Sequence, residues 1–245
     1  DFDKLEEAMA QPQTTMMIFC NPHNPAGREY TEAELRRIGE LCLKHNVFVL
    51  SDEIHGDIVY GGRKHTPFAS LDPRFAKFSC TAVNPSKTFN TAGLRTAAFI
   101  APDPNVKALI LEQRMNNKAF GRPVFGALSV KVLYTQCAYY ADELIAYLEE
   151  NVHVLEEGLA DVKGIRLIKP EATYLLWLDC RELHLPQPEL VRFFKEEAKL
   201  LLNDGQTFGV DGVGFMRMNI ACPRATLRRA ITQLQDAAKR MNLGG

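Results

Sequence analysis

The segment Val47-Phe48-Val49-Leu50-Ser51-Asp52-Glu53-Ile54-His55 passes abruptly from a continuous apolar run to a polar turn. Its first part, Val47–Leu50, has the pattern of a strand whose two faces are both buried. Strands of this kind belong to parallel sheets that are covered by helices on both sides. The polar residues that follow, Ser51, Asp52 and Glu53, are therefore predicted to lie at the carboxyl end of such a strand.

Three further apolar runs precede residue 102 and predict a sheet around this strand. A helix is predicted between the first two strands, because Thr31 and Glu34 form a capping-box pattern that Leu35 and Ile38 continue on one helical face. Short apolar strands that alternate with helices are typical of an α/β fold with a mostly parallel sheet. The other predicted strands are Met16–Cys20, Phe78–Val83 and Ala97–Ile100.

The pattern changes after Pro123, where apolar residues recur at helical spacing to about Asp161 with no proline. We predict one helix and then a long second helix that joins two domains. The rest alternates strands and helices as in a smaller α+β domain. We therefore predict a large domain over residues 1–140 and a small C-terminal domain over 141–245. The elements predicted in the small domain are strands at Ile165–Ile168, Tyr174–Leu178 and Phe215–Ala221, and helices at about Pro188–Leu202 and Thr226–Met241.

The composition excludes several classes of protein. Hydrophobic residues make up 46% and charged residues 24%, and the net charge is -1, so neither a disordered chain nor a basic nucleic-acid-binding protein is indicated. No apolar run approaches the ~20 residues that span a bilayer. The six cysteines lie mostly in apolar stretches and form no C-x-x-C pair, so no metal site is predicted, and their usage fits a reducing cytoplasm.

Polar clusters follow three of the predicted strands, at Asn21–Gly27, Ser51–His55 and Asn84–Lys87. In open parallel sheets, ligands bind at the carboxyl ends of the strands, where these clusters are expected to meet. Together they supply an amide, a carboxylate and a lysine. This set of groups suits the binding of an aromatic aldehyde cofactor.

The same clusters resemble the signature segments of class I/II aminotransferase-fold enzymes, which are pyridoxal 5′-phosphate (PLP) enzymes of fold type I. The details are most similar to the MalY/PatB type of cystathionine β-lyase, and the resemblance covers essentially the whole chain. The segments that carry it are Asn21-Pro22-His23-Asn24-Pro25-Ala26-Gly27, Asp52-Glu53-Ile54-His55, Lys64-His65-Thr66-Pro67-Phe68-Ala69-Ser70-Leu71, Ser86-Lys87-Thr88-Phe89-Asn90 and Phe215-Met216-Arg217-Met218-Asn219-Ile220-Ala221-Cys222-Pro223-Arg224.

The resemblance implies a catalytic role for Lys87, whose amine forms a Schiff base with PLP and then acts as the base for the substrate α-proton. It implies that Asp52 faces the pyridine nitrogen and keeps it protonated. It also implies that Asn24 donates a hydrogen bond to the phenolate oxygen. A helix cap is the structural alternative for Asp52, and Asn21 in the same turn as Asn24 is expected to be a structural turn residue.

Four more residues receive roles from the resemblance. His55 stands where common aminotransferases carry Tyr, and it is expected to donate toward the phenolate oxygen, with a purely structural histidine as the alternative. Ser86 and Arg95 match positions that bind the cofactor phosphate, and the alternative for Arg95 is a surface arginine without that role. Arg217 is expected to bind the substrate α-carboxylate, with an ion pair inside the small domain as the alternative.

The leading functional prediction is a C–S β-lyase that converts cystathionine or cysteine conjugates to a thiol, pyruvate and ammonia. An aminotransferase shares its first steps and remains the alternative, as does a regulatory or inactive aminotransferase-like domain. Family members are longer, so the chain is expected to lack the N-terminal part of the large domain. A homodimer with a small-molecule amino-acid substrate is expected, without nucleic-acid or membrane partners.

Overall fold

The computed structural model describes residues 1–119, 121 and 123–241. The chain forms two compact units. The first comprises Asp1–Pro22 and Glu29–Ala141, and the second comprises His23–Arg28 and the residues from Asp142 onward.

The sheet of the first unit has four strands in the order β1-β2-β3-β4. The first three strands are parallel and the edge strand β4 is antiparallel to β3, which confirms the predicted mostly parallel sheet. Each predicted strand is present, with ends shifted by no more than two residues. The strands are β1 (Met16–Cys20), β2 (Phe48–Asp52), β3 (Ser79–Val83) and β4 (Ala98–Ile100).

The helix between β1 and β2 begins as the sequence predicted. The Thr31 hydroxyl accepts from the Glu34 backbone N–H, and the Glu34 carboxylate accepts from the Thr31 N–H. Such a cap stabilises a helix by about 1 kcal/mol. The apolar face of this helix packs in a core cluster that includes Phe19, Phe68 and Phe75. The helices of this unit are α1 (Phe2–Met9), α2 (Glu32–His45), α3 (Pro73–Lys77), α4 (Pro85–Thr88), α5 (Pro104–Asn116) and α6 (Val124–Gln136).

The long helix predicted after Pro123 is α7 (Ala138–Leu159), which runs from the end of the first unit into the second. The second unit holds an antiparallel sheet in the order β5-β6-β8-β7, in keeping with the predicted α+β domain. Its elements are β5 (Arg166–Leu167), β6 (Leu175–Asp179), α8 (Gln187–Arg192), β7 (Asn203–Asp204), β8 (Phe215–Asn219) and α9 (Arg224–Arg240).

Several elements differ from the sequence-based predictions. The helix predicted to Leu202 ends as an α-helix at Arg192, and a π-helical turn, Phe193–Glu197, follows it. Its apolar pattern continues because Phe193 and Phe194 are buried in that turn. The two-residue strand β7 and the helix α5 of the first unit were not predicted, since neither has a distinct apolar period.

The segment His23–Arg28 was assigned to the large domain from the sequence but clusters with the second unit. The carbonyl oxygen of Gly27 accepts hydrogen bonds from the backbone N–H groups of Glu171 and Ala172. A Cβ atom at Gly27 would lie 3.2 Å from the Ala172 oxygen, and its φ of +68° also favours glycine.

All six cysteines lie among the described residues and form no disulfide there, and Cys42, Cys80 and Cys180 are buried. Among the helices of the described residues, none combines the length and the apolar character that crossing a bilayer requires.

Candidate active site

The carboxyl ends of three parallel strands meet at one edge of the first sheet. Cys20 of β1 is paired with Asp52 of β2, and Asp52 is paired with Ala82 of β3. Backbone hydrogen bonds continue this register, from Asn21 N–H to the Asp52 carbonyl oxygen and from Glu53 N–H to that of Ala82. The polar turns after the strands therefore begin side by side.

Asp52 is the last residue of β2 and is half-buried. Its neighbours Ser51 and Glu53 are buried on the opposite face, as the alternation of a strand requires. One Asp52 carboxylate oxygen accepts from the backbone N–H of Ile54 at 3.3 Å. His55, three residues further, is only 2% exposed.

Lys87 lies on the short helix α4, which starts at the carboxyl end of β3. The Asn84 side chain caps this helix by accepting from the Ser86 N–H at 2.8 Å, and Pro85 occupies the first helical position. Ser86 is buried and Lys87 is half-buried. An amine and a hydroxyl thus stand one strand away from the Asp52 carboxylate.

The residue after Lys87 is held by a network that the sequence did not reveal. The Thr88 hydroxyl donates to Oδ2 of Asp57 at 2.7 Å, and the Tyr134 hydroxyl donates to the same oxygen at 3.2 Å. Burial, with the Asp57 charge and hydrogen bond adding to it, raises the pKa of Tyr134. Phe89 packs edge-to-face on the Tyr134 ring with centroids 5.5 Å apart. These contacts fix α4 against α6.

Arg95 is exposed and precedes β4 in a left-handed backbone conformation. It lies on the wall of a cavity of about 560 Å³ that Arg114, Phe99 and Ile110 also line. Its place is on the connection from α4 to β4, in the same unit as Lys87.

The second unit brings together the other two predicted residues. Arg217 of β8 donates from Nη1 to the Asn24 side-chain oxygen at 2.8 Å, and from Nη2 to the Asn203 side-chain oxygen at 2.9 Å. The Phe208 ring covers the guanidinium, with 4.6 Å between the ring centroid and Cζ. Burial lowers the pKa of Arg217, and the neighbouring Tyr174 opposes this shift.

The buried Nε atom of Arg217 has no hydrogen-bond partner among the described residues. Three guanidinium hydrogens are therefore not used by the two asparagines, and they can bind a carboxylate in the planar, two-bonded manner that guanidinium groups favour. The predicted structural alternative, an ion pair of Arg217 inside the small domain, is not what the structure shows: its partners are two amides.

The structure thus groups Asp52, His55, Ser86, Lys87 and Arg95 in one unit, and Asn24 with Arg217 in the other. The sequence reasoning missed Asp57, Thr88 and Tyr134, and it missed Asn203 and Phe208. The available signal was proximity in sequence, since Thr88 follows Lys87 directly and Asp57 lies two residues after the segment that carries Asp52.

Residues 1–234 match the family model described as aminotransferase class I and II. The chain belongs to this family. The resemblance predicted from the sequence segments is therefore confirmed, and the fold type I assignment with it.

Within the aminotransferase class I and II family, the chain is similar in sequence and structure to several individual proteins. The chain is 40% identical over 238 residues to the cystathionine β-lyase PatB of Bacillus subtilis, covering 97% of this chain and 62% of PatB. It is 32% identical over 242 residues to the protein MalY of Escherichia coli, covering 98% of this chain and 61% of MalY. The crystal structure of cystalysin from Treponema denticola, which contains a pyridoxal 5′-phosphate cofactor, matches with a TM-score of 0.96 and 30% identity over 98% of this chain and 61% of cystalysin. The chain thus spans somewhat more than three fifths of the length of these relatives.

Proposed function

We propose that the protein is a pyridoxal-phosphate-dependent C–S β-lyase that acts on cystathionine or cysteine conjugates. The observation that carries the proposal is the placement of the Lys87 helix at the end of β3, next to the strand that ends in Asp52. The family membership and the likeness to PatB and cystalysin support it.

The residues present fit this cofactor by the chemistry of their donors. A half-buried amine, a carboxylate and a buried hydroxyl lie at one sheet edge, which suits an aldehyde, a ring nitrogen and a phosphate. Lys87 would hold the aldehyde carbon, Asp52 would face the ring nitrogen, and Ser86 and Arg95 would bind the phosphate. His55 and Asn24 would donate to the phenolate oxygen.

When bound, pyridoxal phosphate supplies an electron sink for charge that develops at the substrate Cα. Arg217 binds the α-carboxylate and so fixes the orientation of the Cα–H bond. The Lys87 amine removes this proton, which is the step that a general base must perform. The electron pair left at Cα forms a double bond to Cβ as the Cβ–S bond breaks and the thiolate leaves. Water then converts the three-carbon fragment to pyruvate and ammonia.

The deciding assay gives the full-length protein L-cystathionine without any keto-acid acceptor. Release of pyruvate and a thiol in equal amounts supports the lyase. Amino transfer that requires an added keto acid, with no thiol released, would instead support the aminotransferase. The absence of both reactions would support a regulatory or inactive domain.

The variant pair Lys87→Ala and Lys77→Ala tests the residue that holds the cofactor. Borohydride reduction followed by peptide mass spectrometry should locate a pyridoxyl group on Lys87 in the parent protein and in Lys77→Ala. Lys87→Ala should lose this product and nearly all turnover. Lys77 is an exposed lysine at the end of α3, so its removal controls for the loss of a positive charge.

We also propose the domain boundaries 1–140, for a partial cofactor-binding domain, and 141–245, for a small domain that carries Arg217. We further propose a homodimer located in the cytoplasm. Exposed apolar side chains such as Val124 and Phe125 on α6 support association, and the free cysteines suit a reducing compartment. Sedimentation of the full-length protein tests the dimer, and cell fractionation tests the location.

A further inference from the structure

His65 lies between two buried carboxylates on the strand-end side of the first unit. Its Nδ1 atom is 2.8 Å from Oε1 of Glu29, and its Nε2 atom is 3.0 Å from Oε2 of Glu53. The side chains of Glu29, Glu53 and His65 are 7%, 4% and 10% exposed, so water does little to screen them. The mechanism above uses none of these three residues.

The geometry of this Glu29–His65–Glu53 cluster suits a positively charged ring, because both ring nitrogens face a carboxylate oxygen. A carboxylate oxygen accepts hydrogen bonds, and an imidazolium donates from both ring nitrogens, so this form of His65 satisfies both contacts at once. Burial alone lowers the pKa of His65, but the hydrogen bonds and charges of Glu29 and Glu53 outweigh it and raise the pKa to about 9. Glu29 and Glu53 are the titratable groups that raise it.

Glu53 connects the cluster to the side chain of Ser51, on the other side of Asp52, and to the backbone of Phe68. Its Oε1 atom accepts from the Ser51 hydroxyl at 2.8 Å and from the Phe68 backbone N–H at 3.0 Å. Ser51 and Glu53 flank Asp52 and lie on the face opposite to it. The bond between them, anchored at Phe68 in the hydrophobic core, ties together the two residues on either side of Asp52.

The imidazole also packs against the turn that follows Asp52. A Cβ atom at Gly56 would lie 2.8 Å from Cδ2 of His65 and 3.1 Å from the Glu53 carbonyl oxygen. Only glycine allows this approach without displacing the ring. The cluster thus supports the turn from Asp52 to Gly56, which includes His55.

We propose that His65, as a cation held between Glu29 and Glu53, is a positioning residue that orients Asp52. Without the cation, two buried carboxylates would repel each other across the site, and Glu53 would lose one of the contacts that fix the strand end. The assignment of a partner to Asp52 rests on the proposed function, whereas the ionic cluster itself does not.

The first experiment follows the His65 ring protons by NMR as pH rises, in the full-length protein without added cofactor. The titration midpoint should lie near the pKa of about 9. Because the folded-state pKa is raised, the cluster stabilises the protein fully below the unfolded value of ~6.5 and loses this effect as pH rises through the folded value. A midpoint at or below the unfolded value would overturn the proposal.

The second experiment compares His65→Gln with His153→Gln, which replaces an exposed histidine on α7. The dissociation constant of pyridoxal phosphate, measured with the added cofactor, should rise about tenfold or more in His65→Gln. Losses of this size occur when residues that orient metal-binding side chains are replaced. The dissociation constant should not change in His153→Gln. The ratio of the variant's dissociation constant to the parent's should fall toward one above the His65 pKa, because the parent then loses the cation too.

Glu29→Gln serves as the second variant where His65→Gln does not fold, since glutamine keeps a hydrogen-bond partner for Nδ1. Removal of one charge should lower the midpoint of the His65 titration and weaken cofactor binding in the same direction. Equal cofactor affinity in the parent, His65→Gln and Glu29→Gln would overturn the positioning role. A parent protein that binds no pyridoxal phosphate would overturn the proposed function and this role together, while the NMR titration would still decide whether the cluster is ionic.

Discussion

Arg217 and Asn24 are joined by a 2.8 Å hydrogen bond although 193 positions separate them in the sequence. The bond uses the side-chain oxygen of Asn24 as acceptor, so the amide NH₂ of Asn24 is directed away from the guanidinium and can donate to another oxygen atom. One contact therefore orients two groups, the guanidinium of Arg217 and the amide of Asn24.

Replacing Asn24 by aspartate should turn this contact into an ion pair that competes with the substrate. A carboxylate next to Arg217 would occupy the guanidinium, and the donor NH₂ would be lost. We expect the KM for L-cystathionine in the full-length enzyme to rise by about tenfold or more, equivalent to about 1.4 kcal/mol. Asn105→Asp, an exposed change on α5, is the control for added charge. An unchanged KM in Asn24→Asp would contradict the assignment of Arg217 to the carboxylate.

The Asp57–Thr88 hydrogen bond should be measurable as a coupling energy between the two residues. Thr88 is 1% exposed and keeps its shape in Thr88→Val, so the variant removes mainly the hydroxyl that Asp57 accepts from. A double-mutant cycle with Asp57→Ala, followed by urea unfolding, should give about 1 kcal/mol of coupling.

The matched cycle pairs Thr88→Val with Asp103→Ala, whose carboxylate caps α5 instead. The effects of that pair should add without coupling. A coupling energy near zero for Asp57 and Thr88 would mean that the network does not support the Lys87 helix.

Asp179 should make the stability of the second unit depend on pH in the acid range. Its carboxylate accepts from Arg181 at 2.7 Å and from Arg166 at 2.9 Å, and it is 7% exposed. The Arg181 hydrogen bond first, opposed by burial and helped by Arg166, holds the pKa of Asp179 well below its usual range. Because the folded-state pKa is depressed, this stabilisation is present above the unfolded value of about 4 and is lost as pH falls below it.

Asp179→Asn should therefore lower the free energy of unfolding by about 2 kcal/mol at neutral pH. The difference from the parent should shrink as pH falls from 4 to about 2. Urea unfolding at a series of pH values measures it, with the exposed Asp236→Asn as control. A difference that stays constant across this range would refute the role of the ionised carboxylate.

The sequence predicted the first sheet well because its strands are short apolar runs that end in proline, asparagine or aspartate. Each signal is local: Val47–Leu50 indicates burial, and Asp52 marks the strand end. The antiparallel direction of β4 was beyond such reasoning, since a three-residue exposed strand carries no pattern that records direction. The π-helical turn after Arg192 was missed for a similar reason, because its buried phenylalanines continue the helical period.

The candidate site divides along the same line. Lys87, Asp52 and Arg217 stand in recognisable segments, so a resemblance identified them. The residues that hold the site in place were not identified, because contacts such as those of Asn203 with Arg217 and of Glu29 with His65 depend on how distant segments pack. A single sequence carries no record of which distant polar residues will meet.

The last prediction separates the charge of Arg217 from its shape. Arg217→Lys keeps a cation but loses the planar fork and the two hydrogen bonds to Asn24 and Asn203. Arg217→Ala also loses the charge and leaves the Phe208 ring without the cation it covers. In the full-length enzyme we expect kcat/KM to fall in both variants, by about 2–5 kcal/mol of transition-state stabilisation in Arg217→Ala and by less in Arg217→Lys. Steady-state kinetics with L-cystathionine, at equal loading of cofactor, measure the loss, and Arg229→Ala on the exposed side of α9 is the control.

Since Arg217 is assigned to the carboxylate alone, an amine substrate that lacks this group should be turned over equally by the parent and by Arg217→Ala. A variant that loses activity toward both substrates to the same extent would show that Arg217 acts by supporting the fold.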